Sequence, residues 1–197
     1  MADQDFMNHV SLPAPDERGA IILLSGNRRS GKTTVLRRVR QTAQSQGLST
    51  GGVLSVARFR ATEKVGIDVM DAATGVTFPL AVTGTAGIIH TGRYSFDPAG
   101  IAAGLRFAEA GHTADIFFVD ELGPLELERN QGWVGVLPLI AARAFGVAFV
   151  VVRPELLALA RARLGLPDTA PLLLVEPSTR DTLADRLCAW VQQRSRR

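Results

Sequence analysis

Apolar residues fall along the chain in short continuous runs, separated by stretches with helical spacing. Ala20-Ile-Ile-Leu-Leu-Ser25, Ile116-Phe-Phe-Val119 and Gly146-Val-Ala-Phe-Val-Val-Val152 are the clearest runs. A run of this kind, without polar alternation, suits a strand covered on both faces, as in a parallel sheet. From Lys32 to about Gln46 the period changes: Val35, Leu36, Val39 and Ala43 share one helical face, and Gly47 is a natural stop. Helices are also predicted over residues 97–110 with Pro98 at the first position, over 135–145 with a start perturbed by Pro138, and over 154–164. A last helix is predicted over 179–193, capped by Ser178, after a short strand at 172–175. Residues 51–82 differ in texture. Val53, Val56, Val65, Ile67, Val69, Val76 and Phe78 lie in short strand-like stretches, and Asp71-Ala-Ala-Thr-Gly75 reads as a hairpin turn. The pattern predicts an α/β fold: a mostly parallel sheet between helical layers, with an antiparallel hairpin region around residues 52–83.

The length of 197 residues allows one domain, expected over 19–197, behind a loose leader at 1–18 that carries Asp3, Asp5, Asp16 and Glu17. That leader lacks the basic and long apolar regions of a signal peptide, and no apolar run approaches the roughly 18 residues of a membrane span. A cytoplasmic protein without membrane partners is the expectation. The net charge is +3, but Arg194, Arg196 and Arg197 supply all of it, so the remaining chain is neutral. A neutral body argues against a protein that coats nucleic acid. Cys188 is the single cysteine, which excludes an intrachain disulfide and a cysteine-based zinc cluster.

Against this background one motif stands out. Gly26-Asn-Arg-Arg-Ser-Gly31-Lys32-Thr33 fits G-x-x-x-x-G-K-[ST], follows a predicted buried strand and opens a predicted helix. The glycines let the backbone turn tightly, so that its N–H groups converge on phosphate oxygens beside the positive end of the helix. Gly26, Asn27, Arg28, Arg29, Ser30, Gly31, Lys32, Thr33 and Thr34 are thus the candidate phosphate-binding residues. Lys32 is placed to reach the β- and γ-phosphates and Thr33 to ligate Mg²⁺. Only Lys32 and Lys64 are lysines, so the one position that requires a compact ammonium holds one of two.

A second element fits the first. The predicted strand at 116–121 ends in Asp120-Glu121, and the carboxyl ends of parallel strands line the ligand crevice. Asp120 is the natural Walker B acid for Mg²⁺. Glu121 is placed to orient a water near the γ-phosphate as general base.

These residues and their neighbours resemble a known family. Val119-Asp120-Glu121-Leu122-Gly123-Pro124-Leu125-Glu126-Leu127 resembles the "DEiGpmEL" signature of the cancer-related and thermophile nucleoside-triphosphatases. Gly31-Lys-Thr-Thr-Val-Leu36 is similar to that family's P-loop helix, Gly52-Val-Leu-Ser with Val65-Gly66-Ile67-Asp68 to its hairpin, and Thr91-Gly92-Arg93-Tyr94 with Asp97 to its "vGrYvvd". The similarity runs from about residue 20 to 193. It implies a P-loop NTPase fold and slow, Mg²⁺-dependent hydrolysis of ATP, GTP and other nucleoside triphosphates to NDP and phosphate. Carried over by position, it gives Lys32, Thr33, Asp120 and Glu121 the roles above and leaves Glu126, part of the same signature, to position either the Glu121 loop or another group behind the site. Two stretches depart: the family's "evR" arginine position falls on Phe59, between Arg58 and Arg60, and "eNR" becomes Ser178-Thr179-Arg180. Both departures bear on substrate contacts more than on phosphate chemistry.

Two other functions stay open at this point. One is a kinase-like phosphotransferase for a nucleoside or nucleotide. The other is a nucleotide-dependent adapter in cofactor biosynthesis, such as that of the molybdenum cofactor. No guanine-reading N-K-x-D motif is present, which weakens a dedicated GTPase. Arg93 is either a cis arginine finger or half of a structural salt bridge. Arg28 and Arg29 are expected to face solvent and Arg153 to lie at the surface. Arg58 and Arg60 are either substrate contacts or edge-strand charges. His9, His90 and His112 show no metal-ligand spacing. Trp133, Trp190 and Cys188 are expected in the core, and the terminal arginines in a solvated tail. The oligomeric expectation is a monomer or a weak oligomer.

Overall fold

The computed structural model describes residues 10–84 and 89–196; the expectations for His9 and Arg197 lie outside them. One nine-stranded sheet runs through the molecule. Its strands are β1 (Ala20–Ser25), β2 (Thr50–Arg60), β3 (Glu63–Asp71), β4 (Thr77–Thr83), β5 (His90–Thr91), β6 (Tyr94–Phe96), β7 (Ile116–Leu122), β8 (Val147–Val152) and β9 (Leu172–Leu174). The order is β5-β6-β4-β3-β2-β7-β8-β1-β9. β2, β7, β8, β1 and β9 pair in parallel, and β3, β4, β6 and β5 extend that core in antiparallel fashion.

Helices cover both faces, as the continuous apolar strands require. On one face α1 (Lys32–Ser45) and α6 (Arg180–Arg194) pack Val35, Leu36, Val39, Leu183, Leu187 and Trp190 against Ile22, Leu24, Phe118 and Phe149. On the other lie α2 (Pro98–Gly111), α4 (Val136–Ala142) and α5 (Leu157–Leu164), over Ile21, Leu23, Phe117, Val119, Ala148 and Val150. Alternate residues of each strand serve opposite layers, which is the period of a strand. Phe117 stacks on Phe145 and Phe118 on Phe149, at 5.6 and 5.8 Å between ring centres.

The predicted hairpin region is present as β2, β3 and β4. The turn after Asp71 closes through Gly75 N–H to the Asp71 carbonyl at 2.8 Å, while the Asp71 carboxylate accepts from Ala73 N–H and Thr74 Oγ1. Asp97 caps α2 by accepting from Ala99 N–H at 2.9 Å. A short α3 (Pro124–Leu127) and the small β5–β6 pair have no counterpart in the sequence pattern. The Pro154 helix begins as a 3₁₀ turn, Pro154–Leu156.

Four expectations need correction. Thr179, not Ser178, is the N-cap of α6, and it makes no side-chain cap bond. Its first turn is held instead by the Arg180 N–H, which donates to the Glu176 carbonyl at 2.8 Å. Cys188 is half-buried rather than in the core. The described part of the expected leader, residues 10–18, is tied to α6. Trp190 Nε1 donates to the Pro13 carbonyl at 3.0 Å, and Arg186 donates to the Val10 carbonyl. Arg194 donates to the Glu17 carbonyl at 3.1 Å and lies over the Trp190 ring, so this arginine is no solvated tail.

Candidate active site

The loop between β1 and α1 takes the backbone that its glycines permit. Gly26 and Gly31 have φ of +147° and +104°, values that side chains disfavour. At Gly26 space forbids a side chain as well, while at Gly31 the Arg180 side chain would have to move aside. A β-carbon on Gly26 would stand 2.2 Å from the Val175 carbonyl oxygen, and one on Gly31 would stand 2.1 Å from Arg180 Cδ. The loop is therefore wedged between β1 and the segment entering α6. Ser30 is buried, and its Oγ has no hydrogen-bond partner among the described residues. Asn27, Arg28, Arg29 and Thr34 are exposed.

Lys32 is 8% exposed and folds back over the loop. Its Nζ donates to the Gly26 and Asn27 carbonyls at 2.6 and 2.8 Å. Burial lowers its pKa, and the nearby charges of Glu121 and Asp120 oppose that shift.

Asp120 arrives from two strands away, because β8 lies between β7 and β1. The β7–β8 register breaks between Val119 and Leu122, and such an irregularity frees side chains from the ladder and re-aims them. Asp120 is 3% exposed. Its Oδ2 accepts from Thr33 Oγ1 at 2.7 Å and from Ser55 N–H at 3.2 Å. Ser55 Oγ also donates to the Asp120 carbonyl. Burial raises the Asp120 pKa to about 6. The Thr33 bond opposes this, the Glu121 charge adds to it, and the Ser55 bond and Lys32 charge oppose it further. Thr33 Oγ1 and the Asp120 carboxylate thus form a pair of hard oxygen donors. Such a pair suits Mg²⁺, which takes one or two protein oxygens and fills its shell with water and phosphate. Among the described residues no larger cluster of His, Cys, Asp and Glu is placed to hold a metal.

Glu121 pairs with Arg153, which follows β8 directly. The two side chains are 30% and 20% exposed, so Arg153 belongs to the site and not to the open surface expected for it. Glu126 is buried behind them. Its Oε2 accepts from Gly123 N–H at 2.9 Å and its Oε1 from Trp133 N–H at 3.0 Å. Burial raises its pKa, against the pull of those two bonds. Glu126 therefore ties α3, the element that follows Glu121, to the segment at Trp133.

Arg93 stands apart from this cluster. It donates to the Tyr94 hydroxyl at 3.2 Å and lies over the Tyr94 ring, with no carboxylate partner among the described residues. Its turn nevertheless borders the P-loop, since Arg28 Nη2 comes within 4.0 Å of the β-carbon position of Gly92. Arg58 is a structural partner of Asp68 at 3.1 Å, and Arg60 lies opposite Glu63 in the hairpin. His112 bonds the Glu109 carbonyl, and the His90 carbonyl accepts from Arg129. Trp133 and Trp190 are buried as expected.

The structure thus brings Lys32, Thr33, Asp120 and Glu121 together and adds Ser55, Arg153 and Arg180. Ser55 lies inside the family-like Gly52-Val-Leu-Ser stretch, which was the only signal for it. Arg153 carried the signal of position, just past a buried strand.

Comparison with known proteins gives the family and the fold. Residues 21–187 match the NTPase family. The nucleoside-triphosphatase THEP1 of Methanopyrus kandleri is 28% identical over 178 residues, which span 88% of this chain and 98% of that one. THEP1 of Pyrococcus abyssi is 31% identical over 113 residues, 55% of this chain and 61% of that one. The solution structure of a human cancer-related nucleoside triphosphatase superposes with a TM-score of 0.68 at 18% identity, covering 88% of this chain and 98% of that one. The crystal structure of THEP1 from Aquifex aeolicus gives 0.60 at 15% identity, covering 87% and 98%.

Proposed function

Since the chain belongs to the NTPase family and is a nucleoside-triphosphate phosphohydrolase, we propose that its reaction is run by Lys32, Thr33, Asp120 and Glu121. Residues 26–33 act as Walker A and 116–121 as Walker B. The observation that carries this reading is the 2.7 Å bond between Thr33 Oγ1 and Asp120 Oδ2, which joins the end of one motif to the end of the other.

The roles follow from position. Backbone N–H groups of 26–31, the buried Ser30 hydroxyl and Lys32 hold the phosphates of ATP, GTP or another nucleoside triphosphate. Lys32 exchanges its two loop carbonyls for β- and γ-phosphate oxygens. Thr33 and Asp120 hold Mg²⁺, which, when bound, screens the charge of the phosphates. Ser55 fixes the carboxylate of Asp120. Glu121 orients water for in-line attack and takes its proton. Arg153 holds Glu121 in the free protein and stands ready to face the charge spread over the transferred phosphoryl group. Arg93, on a turn beside the P-loop, is a second arginine within the approach of a nucleotide once it leaves Tyr94. A cytoplasmic location suits these substrates, and no helix among the described residues is long and apolar enough to cross a membrane.

Glu121→Gln tests the assignment. Nucleotide binding is expected to persist while phosphate release from ATP, GTP, CTP and UTP falls by about 10²-fold or more. Hydrolysis that survives the substitution overturns Glu121 as base.

A further inference from the structure

A cavity of about 100 Å³ opens beside Glu121, on the side away from the P-loop helix, between the antiparallel half of the sheet, α2 and α3. Ile67, Leu80, Phe96, Ile101, Leu125 and Trp133 are among its walls, and Glu121 and Arg153 stand at its polar edge. Hydrolysis alone does not call for such a space. A water needs only about 30 Å³ and two to four polar partners, which Ser55, Thr91, Glu121 and Glu126 in the lining supply in a fraction of this space. Apolar walls with a few convergent polar groups are instead the make-up of a small-molecule pocket.

We propose that this cavity seats the body of a small apolar alcohol, a hydroxyl on one ring or a short branched chain, and that the alcohol competes with water for the γ-phosphoryl group. The proposal rests on Glu121 serving as base in the hydrolytic reading. The carboxylate of Glu121 takes the hydroxyl proton, and the alcohol oxygen forms a bond to the γ-phosphorus. The bond from that phosphorus to the β–γ bridging oxygen breaks, and its electron pair leaves with NDP. The products are NDP and an alkyl phosphate. The same carboxylate serves either oxygen nucleophile, because each brings one proton to be removed. Arg153, paired with Glu121 at the cavity edge, sets the carboxylate between the two.

The experiment measures NDP and free phosphate together during ATP turnover, with benzyl alcohol, cyclohexylmethanol and 3-methyl-1-butanol as probes. Water as sole acceptor gives NDP and phosphate in equal amounts. The expected result is an NDP excess of several-fold over phosphate with at least one alcohol, matched by its alkyl phosphate in the phosphorus NMR spectrum. Toluene, which fills the cavity without a hydroxyl, is expected to give no excess and to suppress the excess produced by the alcohol. Ile101→Trp, which fills the cavity with protein, is expected to return the ratio to one. Equal NDP and phosphate with all three alcohols in the unmodified protein overturns the acceptor site and leaves the hydrolytic reading intact. Failure of Glu121→Gln to stop turnover overturns the hydrolytic assignment instead.

Discussion

Asp120 is a carboxylate enclosed by protein, and its ionisation is felt by the whole fold. Its native pKa of about 6 lies above the ordinary 3.8 because burial penalises the charge. Between those values the folded protein holds a proton that the unfolded chain has released. Stability contributed by this group therefore declines as pH rises from about 4 to about 6, and the penalty is complete above that. For metal-free protein at pH 7.5, Asp120→Asn is expected to raise stability by about 2–3 kcal/mol, with the gain fading as pH falls from about 6 to about 4. Thermal denaturation in a chelator from pH 4 to 8 checks this. Mg²⁺ with nucleotide should stabilise the unmodified protein and fail to stabilise the variant. The residues that sequence alone could not supply are of one kind. Ser55 meets Asp120 across 65 positions, and Arg153 meets Glu121 across 32. Lys32 and Thr33 were legible because the chemistry of a phosphate loop demands them consecutively, whereas partners across strands obey no fixed spacing.

At the scale of elements, β1, β7 and β8 were visible because burial on both faces leaves an uninterrupted apolar run. α3 has four residues and β5 has two, too few to show any period. Yet α3 carries Glu126, and its position depends on that one carboxylate accepting two backbone N–H groups. Glu126→Gln turns one acceptor into an amide donor facing an N–H group. It is expected to cost about 1–3 kcal/mol and to lower hydrolysis while leaving nucleotide binding close to unchanged, because α3 follows Glu121 and not the P-loop. Denaturant unfolding and a kcat measured apart from nucleotide affinity check both halves.

The whole molecule is a parallel core with an antiparallel wing, and the strand order was beyond the sequence. Periodicity identifies strands but does not say that β8 separates β7 from β1. The same holds for the segment before β1. Its acidic and proline-rich composition suggested a loose leader, but Pro13 and Val10 offer carbonyls to Trp190 and Arg186, and composition carries no sign of a carbonyl partner. Removing residues 1–18 is expected to lower the melting temperature by several degrees, for a loss of about 1–2 kcal/mol. Hydrolysis at low temperature should persist, since residues 10–18 dock on α6 and not at Glu121. A melting curve with and without the segment, alongside a phosphate-release assay, decides it.

The free P-loop is not an empty socket. Lys32 already spends its ammonium on the Gly26 and Asn27 carbonyls, so the loop acts as an internal competitor for its own cation. An incoming anion must outbid two short bonds before it gains the lysine. A single phosphate group, with few oxygens to offer, meets that threshold poorly. A polyphosphate that engages the backbone N–H groups and the lysine together meets it in one step. The folded-back lysine is thus expected to act as a filter that favours a nucleoside triphosphate over the free phosphate released by hydrolysis.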